Sequence, residues 1–262
     1  DGFPALALGV VAISFAAIFL KLAEPTHALT RSGLRLLMAA ALLVPAIVRG
    51  WRSGRLRPVL PWAVLAGVLY AVHFSAWIGS LDLTSVAASV TLVTATPLLL
   101  AIVGVVTGRD RPAGRLWASL ALGAAGVALV GGADLSASGR ALAGDGLALL
   151  GTAAMAGYLL VARRLGPGLE VWSFMGVAGA VGGGLVMAAA AAAGVGLRPS
   201  GGGALFWIFL SAVIPQLIGH GLLTWSLRHT TPTVVALAIL GEPVGSTLLA
   251  WAWLGEAAPA PV

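Results

Sequence analysis

Tyr70, His73, Phe74 and Trp77 recur at i, i+3, i+4 and i+7 within one apolar stretch, a spacing that gathers them on one face of a helix. An aromatic face with one imidazole suits an organic molecule with an aromatic or apolar body, held by stacking and cation–π contacts. The same pattern also fits ordinary packing, with the histidine bonded to a neighbouring carbonyl. Gln216 and His220 form a second pair, at i and i+4, just past Pro215; that proline frees a backbone carbonyl one turn earlier. His73 and His220 could relay protons, because imidazole titrates near neutral pH, or each could make a structural hydrogen bond. Glu242 is the one carboxylate well inside an apolar stretch, and it precedes Pro243. It could accept a proton, pair with Arg31 or Arg35, or cap a broken helix; Gly241 and Gly245 flank it at a spacing that also signals close helix packing. Ser89 and Thr96, seven residues apart, share a face beside Thr91 and Thr94, and Tyr158 is a further candidate.

Other chemistries lack their residues. The histidines, His27, His73, His220 and His229, are scattered, and neither GxSxG, HExxH nor GxxxxGK[ST] occurs, so no catalytic residue, metal or cofactor is expected. Cysteine is absent, which removes disulfide and thiol chemistry.

The elements that must carry these side chains follow from composition. Hydrophobic residues make up 59% of the 262 and charged residues 9%, with a mean hydropathy of +1.01. A soluble domain carries about 25% charged residues. Spans long enough for a bilayer are expected at 4–22, 30–48, 61–80, 84–107, 114–132, 144–163, 171–194, 203–226 and 232–253. Short alternating strands of a β-barrel are absent. The expectation is an all-α polytopic membrane protein. Trp62, Trp117, Trp172, Trp207 and Trp253 fall near span ends, as interfacial tryptophans do.

The sequence pI of 11.3 would suggest nucleic acid for a soluble chain. Here it reflects arginines at loops. With a cytoplasmic N-terminus, ten basic residues fall inside (Arg49, Arg52, Arg55, Arg57, Arg109, Arg111, Arg115, Arg163, Arg164, Arg228) and three outside (Lys21, Arg140, Arg198). That bias favours a multi-pass inner-membrane protein with its N-terminus in the cytoplasm. The start, Asp1-Gly2-Phe3-Pro4, shows no basic segment of a signal peptide.

The chain repeats itself. Ser80, Leu81, Thr84 and Pro97 return as Ser226, Leu227, Thr230 and Pro243 at a constant offset of 146, with Asp110 and Glu256 closing the two stretches. Gly9, Lys21 and Pro25 match Gly151, Arg163 and Pro167 at an offset of 142. The first unit, 1–132, holds five spans and the second, 143–262, holds four. An odd number of spans makes the second copy enter from the opposite side, the architecture of secondary transporters. A tenth span is expected after Glu256, beyond the sequence at hand, and helix kinks are expected at Pro97 and Pro243.

The runs His73-Phe74-Ser75-Ala76-Trp77-Ile78-Gly79-Ser80-Leu81, Pro215-Gln216-Leu217-Ile218-Gly219-His220 and Leu240-Gly241-Glu242-Pro243-Val244-Gly245-Ser246 resemble the EamA branch of the drug/metabolite transporter superfamily. The resemblance covers the chain except the missing last helix. One departure is Thr107-Gly108-Arg109-Asp110, where the family usually shows Gly-Glu. The resemblance implies ten helices in two inverted five-helix repeats, around a cavity lined by the third, fourth, eighth and ninth helices with help from the first and sixth. Members of that branch export amino acids and related metabolites.

Together these point to a secondary transporter, an exporter of small amino-acid-like or amphipathic metabolites working by alternating access; an intramembrane enzyme and a channel or scramblase are the competing readings. Its expected partners are a small-molecule substrate and the lipid bilayer, not nucleic acid, and its expected state is a monomer, with a dimer as the alternative. The expected substrate-binding residues are Tyr70, His73, Trp77, Ser89, Thr96, Tyr158, Gln216 and His220, with Glu242, Pro97 and Pro243 for coupling or kinking.

Overall fold

A computed structural model of the protein describes residues 2–108, 114, 117–118, 121–126, 139–166 and 170–256. Every regular element among them is helical. Seven helices are long and apolar enough to cross a bilayer, and a bent pair makes an eighth. They are α1 (Phe3–Leu22), α2 (the bent pair Ala28–Leu42 and Val44–Arg52), α3 (Arg57–Leu81), α4 (Val86–Thr107), α5 (Gly139–Arg164), α6 (Val171–Ala192), α7 (Gly202–Ser226) and α8 (Pro232–Leu254). The span expected at 114–132 lies largely outside the described residues, as do Asp110, Arg109, Arg111, Arg115 and Pro167.

The two copies match at the level of single hydrogen bonds. Ser85 Oγ accepts from the Ala88 amide at 3.1 Å, and Thr231 Oγ1, 146 residues on, accepts from the Val234 amide at 3.4 Å; each is an N-cap that starts a half-helix. Those half-helices end at Val93 and Ile239. The next ones begin at Thr96 and Glu242 with a proline, Pro97 or Pro243, in the first turn. Proline lacks the N–H for an i→i−4 bond and its ring collides with that carbonyl, so both spans break just ahead of it. Both second halves end on a left-handed glycine, Gly108 (φ 66°) and Gly255 (φ 68°), which no Cβ obstructs.

Contacts at the helix ends give the orientation of the copies. Arg31 donates to the Asp82 carboxylate and to the Leu20 carbonyl at 2.7 Å, while Glu24 lies 3.4 Å from Lys21. Arg140, at the start of α5, donates to the Asp82 carbonyl at 2.8 Å. Helix α1 therefore leaves the bundle at the face where α5 enters it, so the first helices of the two copies run in opposite directions, as an inverted repeat requires.

The two copies interleave. Helix α3 packs along α5 and α6, and α6 also packs along α2. Glycines make this approach possible. A Cβ on Gly182 would stand 2.7 Å from the Gly67 carbonyl oxygen, one on Gly183 3.0 Å from that of Gly33, and one on Gly179 3.1 Å from that of Leu36. Without a hydrophobic force between helices in lipid, such close van der Waals contact holds them together.

Two features depart from the expected spans. The stretch 30–48 is not one straight helix: α2 bends by 54°, because Pro45 lies in the first turn of its second segment. Helix α7 contains a nine-residue π segment, Ala212–His220, around Pro215. Of the tryptophans near span ends, Trp172 and Trp253 are exposed, whereas Trp207 stacks on Phe19 at 5.6 Å.

The glycine contacts predict a paired result. Gly182→Leu destabilises the detergent-solubilised protein by about 1–3 kcal/mol, the usual cost of overpacking. Gly184→Leu, two residues on, places its Cβ where nothing lies within 4 Å and leaves the melting temperature unchanged. Equal losses at both positions in thermal unfolding would contradict this packing.

Candidate functional site

Six helices converge on a buried cavity of about 30 Å³. Ile13 and Ala16 of α1 and Met155 of α5 form its apolar wall; His73, Trp77, Thr94, Thr96, His220 and Glu242 bring the polar groups. The breaks of both α4 and α8 open onto it, through Thr94 and Thr96 on one side and Ile239 and Glu242 on the other. A buried water needs roughly 10–15 Å³ of such space, so the cavity holds on the order of two waters.

Each wall is fixed by its own bonding. His73 Nδ1 donates to the Gly151 carbonyl at 2.8 Å, an acceptor that places the proton on Nδ1 and leaves Nε2 to accept in the neutral ring. The imidazole is thus both a structural bond and a cavity wall. It stands nearly parallel to Trp77, with ring centroids 6.2 Å apart. His220 faces it across 6.4 Å, too far for a direct hydrogen bond, and meets Phe74 edge-on at 5.5 Å. At the first break, Thr94 Oγ1 donates to the Val90 carbonyl at 2.8 Å and Thr96 Oγ1 to that of Val93 at 3.3 Å. The Val90 carbonyl also accepts from the Thr94 amide at 3.0 Å, whereas the Val93 carbonyl is the one that Pro97 deprives of an amide; the Thr96 hydroxyl re-satisfies it, which is how proline is tolerated in spanning helices.

Behind Trp77 lies Arg35, with no exposed surface. Its Nε donates to Gln216 Oε1 at 3.2 Å. The guanidinium lies 4.5 Å from the Phe74 ring centroid and 5.7 Å from that of Trp77. Its Nη1 and Nη2 have no hydrogen-bond partner among the described residues, and neither does Trp77 Nε1. Glu242 acts on Arg35 electrostatically, but the two form no ion pair among the described residues, and Arg31 is committed to Asp82 and Glu24. Of the alternatives open to Glu242 in the sequence, an ion pair with Arg31 or Arg35 is therefore not made among the described residues.

Residues 2–132 and 142–259 match the family model described as the EamA-like transporter family. The chain belongs to that family. A solved crystal structure superimposes on this EamA protein with a TM-score of 0.71, over 99% of this chain and 89% of that one, at 19% identity; a likeness at that identity concerns the fold. No curated protein matches the chain.

Of the residues expected to bind substrate in this EamA transporter, His73, Trp77, Thr96 and His220 meet at the cavity together with Glu242. The other four stand behind it. Ser89 is held by Ser80, hydroxyl to hydroxyl at 2.5 Å, and the break at 94–95 ends the helical register it would share with Thr96. Tyr70 stacks on Tyr158 with centroids 4.2 Å apart, and the Tyr158 hydroxyl meets that of Thr224 at 3.0 Å. Gln216 serves Arg35. Pro97 and Pro243 sit just past their breaks. The residue that sequence reasoning undervalued is Arg35, considered there as an ion-pair partner of Glu242. An arginine in mid-span is costly, and that signal alone marked it.

Gln216→Leu removes the one neutral acceptor from a buried cation, which costs about 1–3 kcal/mol. Thr94→Val deletes a hydroxyl whose acceptor, the Val90 carbonyl, keeps the Thr94 amide, and leaves stability near that of the parent. Thermal unfolding in detergent decides this, and a larger loss for Thr94→Val than for Gln216→Leu would reverse the assignment.

Proposed function

We propose that this EamA transporter is a secondary carrier that exports small amino-acid-like or amphipathic metabolites by alternating access. The observation that carries this reading is the position of the cavity: both inverted copies contribute to it at the point where their helices break. Such midplane sites at repeat interfaces, built from discontinuous helices, are where secondary transporters hold substrate. The repeats at 1–132 and 143–262 are the moving units, and the breaks beside Pro97 and Pro243 are the hinges. The chain lies in the inner membrane with its N-terminus in the cytoplasm, an orientation supported by the ten-to-three arginine and lysine bias.

Contacts between the copies bridge both ends. On the side carrying most of the arginines, Arg55 pairs with Glu170 at 2.9 Å. On the other, Arg140 donates to the Asp82 carbonyl, Thr26 and Ser200 share a hydrogen bond at 2.9 Å, and Glu256 accepts from the Val86 amide at 3.2 Å. Exposed pairs are individually weak, which suits contacts that must form and break in each cycle.

Two measurements test this. In proteoliposomes, flux of amino acids should saturate and be accelerated by substrate on the far side; flux linear in concentration would favour a channel or scramblase. Arg55→Ala should weaken the arginine-rich end, so that Thr94→Cys, placed in this cysteine-free chain, reacts several-fold faster with a maleimide applied from that side. Unchanged labelling would remove Arg55–Glu170 from the gate.

A further inference from the structure

Arg31 and Arg35 are one turn apart on α2, and both are fully buried. Arg31 is answered by the Asp82 and Glu24 carboxylates and the Leu20 carbonyl. Arg35 is answered by one neutral amide, Gln216. Two of its three nitrogens have no partner among the described residues, and the indole N–H of Trp77, whose ring lies beside it, has none either. Three unmet donors therefore cluster next to the cavity that Trp77 lines. Buried donors without acceptors are expensive, and a buried guanidinium without an anion more so. What the cluster lacks is an acceptor with negative charge and two oxygens, the partner a planar guanidinium fork engages best.

We propose that Arg35 and Trp77 form the receptor for the carboxylate of the transported metabolite, so that this carrier selects monocarboxylates with an apolar or aromatic body. The inference rests on the transport reading above and adds the chemical class of its substrate. The body packs against Phe74, Trp77 and His73, whose rings already touch. Charge decides between a carboxylate and a phosphate. The groups acting on Arg35 are Gln216, Tyr70, Phe74, Trp77, Glu242 and the two imidazoles, His73 and His220. None is a second fixed cation to hold a dianion, and Glu242 repels one. The same Glu242, at the cavity wall and free of any ion pair among the described residues, would accept the ammonium group of an amino acid. Because the cavity is small, the carboxylate reaches Arg35 only as the site widens around the ligand.

The full chain in detergent, titrated with L-phenylalanine, L-leucine and 3-phenylpropionate against their amides and against phenyl phosphate, tests this by thermal stabilisation, since a ligand of the folded state raises the melting temperature. A charge-assisted bond is worth enough to predict that the acids bind roughly 10- to 100-fold more tightly than the amides. Arg35→Gln should erase that preference, Arg35→Lys should keep part of it, and Trp77→Phe, which keeps an aromatic ring and loses the N–H, should narrow it. The acid-to-amide ratio is the readout, because a merely structural role for Arg35 would lower both affinities together. Equal binding of acids and amides, stronger binding of phenyl phosphate, or an acid preference that survives in folded Arg35→Gln would each overturn the proposal. Counterflow in proteoliposomes, run in parallel, separates the two readings. Saturable, trans-stimulated flux without acid preference overturns the carboxylate receptor and leaves the carrier standing. Absence of saturable flux for every compound overturns both.

Discussion

Hydrocarbon offers no hydrogen bonds, so each peptide group of a spanning segment must find its partner within the protein. A helix can therefore be interrupted only where other protein groups take over, and in this chain the interruptions of α4 and α8 both face the bundle interior. Thr96 answers the Val93 carbonyl that Pro97 leaves open at the first break. The second break has Leu240, Gly241 and Glu242 in the equivalent places and so carries a carboxylate where the first carries a hydroxyl. The cavity is the space these two unlike breaks leave between them. Its polarity is a by-product of solving the backbone problem twice with different residues.

The same constraint divides the bundle into stiff and yielding parts. Helix α6 lies on α2 and α3 with backbone almost touching backbone, at Gly179, Gly182 and Gly183. Such a contact has one arrangement, since any slide brings a carbonyl against a side chain. The parts with alternatives are the half-helices of α4 and α8 and the π segment of α7, where the i→i−4 ladder is already interrupted. Those are also the parts that line the cavity. In the proposed transport cycle, motion and binding would thus draw on one set of residues.

Much of this was readable from the chain alone, for identifiable reasons. Proline acts locally, so Pro97 and Pro243 located both breaks, and an offset of 146 residues exposed the repeat. Helical periodicity brought His73 and Trp77 to one face. What escaped depended on longer-range geometry. The face shared by Ser89 and Thr96 assumed a continuous helix across 94–95, which the break removes. The bend in α2 was hidden because Pro45 falls in an otherwise unbroken apolar run. The π segment adjusts the register between Pro215 and His220 in a way that no spacing rule announces. And whether Arg35 or Arg31 finds a carboxylate is decided by Glu24 and Asp82, which only the folded chain brings to one of them.

A central space of about 30 Å³ also makes the bundle an electrical insulator in this conformation. An ion crosses a membrane protein cheaply only along a path that preserves or replaces its hydration shell. Room for a pair of water molecules, between Ile13, Ala16, Trp77 and Met155, offers no such shell, and shedding it is expensive. The polar groups gathered at the two breaks therefore sit deep in the bundle at a place too narrow for a hydrated ion.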